Sequence, residues 1–152
     1  MRIMAPMAVL LALSLTAVPV RASSPDNKNP DQQSIEALET RASQAQPREQ
    51  CFLYAELVHQ MTELSLRQYA AGNVEGANGL LKKIQLMAKK IHLSLANNDK
   101  RLKNAEILLN HTAFRLNEML RASDYQDRPL VQQTLAQVNQ AQSEAMMEVF
   151  HK

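Results

Sequence analysis

The stretch Val74-Glu-Gly-Ala-Asn-Gly-Leu-Leu-Lys-Lys-Ile-Gln-Leu-Met-Ala-Lys-Lys-Ile-His-Leu-Ser-Leu95 decides the fold. Val74, Ala77, Leu81, Ile84, Ala88, Ile91 and Leu95 alternate spacings of three and four, which places them on one ridge of an α-helix. A ridge of that period is buried by packing on other helices, as in a bundle. Asn73 can accept from the free amides of the first turn. Gly72 can take the left-handed conformation that closes the preceding helix. Two helices joined by a tight turn follow.

The same reading extends in both directions. Asn97, Asn98 and Asp99 can each bond locally to backbone and mark a break, with Asp99 the cap of the next helix; one continuous long helix is the alternative. Leu102, Ala105, Leu109, Thr112, Leu116 and Leu120 form another ridge, ending near Arg121. Ser123 to Asp127 is a polar turn. Asp127 then caps a last helix with Pro129 in its first turn and Val131, Leu135, Val138, Ala145 and Val149 along one side. Upstream, Pro47 opens a helix running through Ala71, and a short helix from Asp31 to about Ala45 carries Ile35 and Leu38 and is stable only when docked. The expected architecture is all-α: an up-down antiparallel bundle of four long helices plus a short N-terminal one.

Composition agrees. Of 152 residues 45% are hydrophobic and 4% aromatic, with 3 Gly and no Trp, which argues against a sandwich, a barrel or a dinucleotide-binding sheet. One Cys excludes an intrachain disulfide framework and a cysteine-based zinc site. Residues 1–22 read as a signal peptide: Arg2 precedes an apolar stretch from Ile3 to Val18, and Val20 and Ala22 suit a small-residue cleavage site. Residues 23–30 are a polar, proline-containing leader, and 31–152 form a single domain. The expected location is periplasmic or secreted, with no stable membrane span once the signal is removed. Arg2 and Arg21 leave with the signal, so the remaining chain is formally neutral. Its charge is segregated: residues 23–80 carry −4, 81–121 carry +6 and 122–152 carry −2. Such alternation favours helices that attract one another or an acidic partner for the middle ones.

The sharpest chemical pattern is Glu-x-x-His, at Glu56/His59 and at Glu148/His151, the spacing that carboxylate-bridged di-metal bundles use. At about 100° per residue, however, Glu56, His59 and Glu63 form a stripe well away from the Leu53, Leu57, Met61 and Leu64 ridge, so these three are surface metal candidates and not an internal centre. No cofactor is expected. Lys82, Lys83, Lys89 and Lys90 lie opposite the core ridge of their helix. Nucleic acid is not the expected partner, because no aromatic platform accompanies them between Glu75 and Asn110; an anionic surface or acidic partner fits better. Cys51, near the start of its helix, is read as a buried small hydrophobe, with an intermolecular disulfide as the other outcome. His92 flanks its ridge as a partly buried polar residue.

Ile107 and Phe114 project away from the Leu102–Leu109–Leu116 ridge. Either the first helix covers them, which is the favoured reading, or they form an association surface with His111 and Glu118. A protein partner or self-association is therefore the expected role, without enzymatic activity. The rivals are a small-ligand or metal-binding bundle, and an enzyme that would need acid and base groups gathered around His92 or His111.

Two resemblances bear on this. Gln68-Tyr-Ala-Ala-Gly-Asn-Val-Glu-Gly-Ala-Asn-Gly-Leu-Leu-Lys-Lys-Ile84 resembles the turn of a tetratricopeptide helical hairpin, with Gly72 and Ala77 at matching places, over about half of one 34-residue unit. It implies partner binding by analogy. The run Lys100-Arg-Leu-Lys-Asn-Ala-Glu-Ile-Leu-Leu-Asn-His111, with Tyr54-Ala-Glu-Leu-Val-His59, resembles a group of uncharacterised exported helical proteins from Acidobacteria. That similarity implies export and carries no activity, cofactor or catalytic residue.

Overall fold

The computed structural model describes residues 30–97 and 100–151, so the expected signal peptide of residues 1–22, most of the expected leader and the expected cap at Asp99 lie outside the described residues. Five α-helices pack against one another, and there is no strand among the described residues. They are α1 (Gln32–Gln44), α2 (Pro47–Ala70), α3 (Val74–Ser94), α4 (Leu102–Ala122) and α5 (Arg128–Phe150), with a short 3-10 turn at Leu95–Asn97 after α3.

Local chemistry sets the ends. Asp31 accepts from the Ser34 amide at 2.7 Å while the Ser34 hydroxyl answers the Asp31 amide at 3.0 Å, a reciprocal cap on α1. Pro47 occupies the first turn of α2, where its missing N–H costs no helical bond. At the other end Gly72 adopts φ +84°, the Gly72 amide reaches the Tyr69 carbonyl and the Asn73 amide the Gln68 carbonyl. These two bonds together are a Schellman closure. Asn73 then accepts from the Gly76 amide at 3.0 Å and starts α3.

Most of the expected ridge positions are in the core, with Val74, Leu120, Leu135 and Val149 half-buried. Ala77, Leu81, Ile84, Ala88 and Ile91 of α3, Leu102, Ala105, Leu109 and Leu116 of α4, Val131, Val138 and Ala145 of α5, and Leu57, Met61 and Leu64 of α2 are all buried. Burial of each large aliphatic side chain contributes about 1.5–3 kcal/mol against exposure. α1 adds Ile35, Leu38 and Ala42 by docking on α2.

The helices pair in a specific way. α2 packs on α3 and α4, and α5 on α3 and α4, but α3 and α4 are not packed on each other among the described residues. Cross-helix partners show the direction of the new pairs. His59 meets Thr112, Glu63 meets Arg115 and Ser65 meets Met119, numbers that rise together, so α2 and α4 run the same way. Asn78–Asp127, Gln85–Thr134 and His92–Glu144 do the same for α3 and α5. The bundle is thus two helical hairpins laid side by side. Short loops fix only what lies within each hairpin; the break between Leu95 and Leu102 is long enough to cross to the far corner.

The start of α5 differs from the expected one. Asp127 stands at the N-cap position of α5, yet its side chain does not cap. Asn78 donates to its Oδ1 at 3.0 Å and the Tyr69 hydroxyl to its Oδ2 at 3.3 Å, while Tyr69 accepts from the Asp124 amide at 2.8 Å. The carboxylate ties three helices together instead of serving its own.

Candidate functional site

The two stripes singled out on separate helices come together. Because α2 and α4 run the same way in contact, His59 and Glu63 face His111, Phe114 and Arg115 across a shallow groove of about 510 Å³ that Asn110 also lines. The Thr112 hydroxyl donates to the Leu108 carbonyl at 2.8 Å, as helical threonines do, so toward His59 Nδ1 at 3.2 Å it acts as acceptor. This network puts the His59 proton on Nδ1 and leaves Nε2 as the acceptor. Burial holds the His59 pKa below its ordinary value, with His111 and Arg115 acting in the same sense and Glu63 and Glu56 against it.

Arg115 dominates the groove electrostatically. Its Nε donates to Glu63 Oε1 at 2.6 Å and its Nη2 to Oε2 at 3.1 Å, while Nη1 grips Glu118 one turn along α4. The guanidinium bonds hold the Glu63 carboxyl below the usual carboxylate range. Two carboxylates thus share one guanidinium, a cluster of net charge −1 in which every charged group has a partner. Among the described residues no group of three or more His, Cys, Asp and Glu side chains is set to hold a metal. His59 and Glu63, the surface candidates together with half-buried Glu56, are engaged by Thr112 and Arg115.

Ile107 and Phe114 are exposed, 46% and 62%, because α1 docks on α2 and not on α4. The expected cover is therefore not there. His111 is exposed beside them and Glu118 half-buried. Cys51 is fully buried, so a bond to another chain would require α2 to open locally. His92 is more exposed than expected. Its Nδ1 lies 2.7 Å from Glu144, whose carboxyl burial pushes up but the bonds from His92 and Gln140 bring below its ordinary value. His151 ends α5 as an exposed residue.

No helix among the described residues is long and apolar enough to cross a membrane. Comparison of the chain with known protein families, curated proteins and solved structures finds no match.

Proposed function

We propose that this chain is an exported, non-enzymatic helical bundle that acts as a protein–protein association module of the periplasm or envelope. The observation that carries the reading is the pair Ile107 and Phe114, one heptad apart and both exposed on a helix whose opposite side is already buried. Single exposed apolar residues are ordinary on any surface, whereas a heptad pair bordered by polar groups has the make-up of an interface centre with its rim. His111, Arg115 and Glu118 supply that rim. The engagement of both Glu63 and Glu118 by Arg115 suits recognition better than acid–base chemistry, which needs a group left at liberty to exchange a proton. As for architecture, the proposal is an up-down bundle in which each long helix reverses the one before it. The short α2–α3 and α4–α5 connections and the like-directed α2/α4 and α3/α5 pairs support that reading.

The test is sedimentation of the purified chain, with reductant, alongside Ile107→Asp and Phe114→Asp, and retrieval of partners from envelope extract by the same three proteins. The expected result is an assembly that forms with the native chain and is lost with both folded variants. A monomer at every concentration that retrieves the same proteins as its variants would reject the reading.

A further inference from the structure

The face of α3 turned away from its Leu81–Ile84–Ile91 ridge carries Lys82, Lys83, Leu86, Lys89, Lys90 and Leu93, all exposed. Leu86 is 55% and Leu93 73% exposed, the latter more than any other large aliphatic side chain among the described residues. At about 100° per residue the two leucines form the centre line of the face, with Lys82 and Lys89 along one edge and Lys83 and Lys90 along the other. Contacts agree with that placement. Lys83 Nζ is 4.0 Å from Glu39 of α1, Lys90 lies over the Tyr54 ring of α2, and Lys89 borders the groove toward α5. Lys82 and Lys89 make no hydrogen bond or ion pair among the described residues. The carboxylates near the face are Glu39 on one side, Glu144, held by His92, on the other, and exposed Glu75 one heptad before Lys82 in the first turn of α3.

A merely solvated basic face has no use for two bare leucines along its middle. A face that lies on a bilayer needs that arrangement: apolar side chains entering the acyl boundary, and lysines whose four-carbon stems let the ammonium groups rise to the phosphates. The charge of this face is complementary to anionic headgroups and its centre line to acyl chains. We propose that α3 docks the protein peripherally on an anionic phospholipid bilayer, independently of the α4 association face.

The experiment is cosedimentation of the purified chain with vesicles of phosphatidylglycerol and phosphatidylcholine in equal parts, against phosphatidylcholine alone. The chain is expected to bind the anionic vesicles, to leave the neutral ones in solution, and to bind more weakly as salt is added. Lys82→Gln with Lys89→Gln is expected to lower partitioning about thirtyfold, from the usual worth of a lysine near an anionic surface. Leu86→Ser with Leu93→Ser is expected to lower it about tenfold or more through lost apolar burial. All four side chains are exposed, and far-ultraviolet circular dichroism confirms that the variants are folded. Equal affinity for both vesicle types would overturn the proposal. So would a leucine variant that binds as the native chain does, since the lysines would then be answering a soluble polyanion or an acidic protein.

Discussion

Arg115 of α4 holds Glu63 of α2 in a two-pronged pair, 2.6 Å and 3.1 Å, across the line where the two hairpins meet. Glu63→Gln keeps the side-chain shape and removes the charge. Because the Arg115 side chain is 38% exposed, water screens the pair, and the expected cost at neutral pH is about 1 kcal/mol or less. The pH dependence has a definite sign. The Glu63 pKa is lowered in the fold from 4.5, so its contribution is full above that value and is lost as pH falls through the lower folded one. Urea unfolding of the native chain and Glu63→Gln should therefore differ at neutral pH and converge in acid; a constant difference would mean that packing, and not charge, sets the cost.

His59 acts through the opposite protonation state. Burial lowers its pKa from 6.5, so the folded protein prefers the neutral ring and the unfolded chain takes up the proton first. Stability attributable to this group is full above about pH 6.5 and declines as pH falls from there through the folded pKa, below which it levels off. Glu56, Glu63, His111 and Arg115 are the charged groups that tune it. The measurement is a pH series of unfolding free energies for the native chain and His59→Gln, which keeps a donor toward Thr112 but does not titrate. The variant should show a flatter profile in the mildly acidic range; identical slopes would show that another group titrates there.

Gly72 and Gly79 make a matched pair. Gly72 holds φ +84° in open space, so Gly72→Ala meets no neighbour and pays only the backbone cost of the left-handed region, about 1–2 kcal/mol. Gly79 lies within α3, exposed, and an added methyl there also meets nothing within 4 Å. Gly79→Ala should stabilise by about 0.5–1 kcal/mol through reduced unfolded-state freedom and better helix propensity. Melting temperatures of the two variants should move in opposite directions. A common shift would mean that the α2–α3 turn is not closed by a left-handed residue.

The extent to which the fold is legible in the chain follows the range of the interactions. The α3 ridge, Gly72, Asn73 and Pro47 act within one or two helical turns, and each could be read from neighbouring residues. Asp127 was open to misreading because an Asp before a Pro-containing first turn has the cap signature, while its real partners, Tyr69 and Asn78, are 58 and 49 positions away. Glu63 and Arg115 are 52 positions apart, and each reads as an ordinary surface charge on its own helix. Only the like-directed packing of α2 and α4 brings His59 and Glu63 of one stripe and His111 and Phe114 of the other to one groove. Nothing in either helix encodes that choice alone; it follows from α4 crossing to the corner away from α3.

Leu109 and Phe114 separate stability from association on one helix. Leu109 is fully buried, and Leu109→Ala removes apolar contact and leaves a cavity, an expected loss of about 2–5 kcal/mol. Phe114 is 62% exposed and lies at the groove edge, so Phe114→Ser should change the unfolding free energy of the isolated chain by no more than about 0.5 kcal/mol. If the α4 face is an interface, the same Phe114 substitution should weaken assembly strongly, since large aromatic side chains at an interface centre dominate binding. Chemical denaturation at low protein concentration and sedimentation at high concentration give the two quantities separately. A Phe114→Ser chain that unfolds several kcal/mol more easily would show that Phe114 is a core residue of the isolated bundle, and the association face would have to be sought elsewhere.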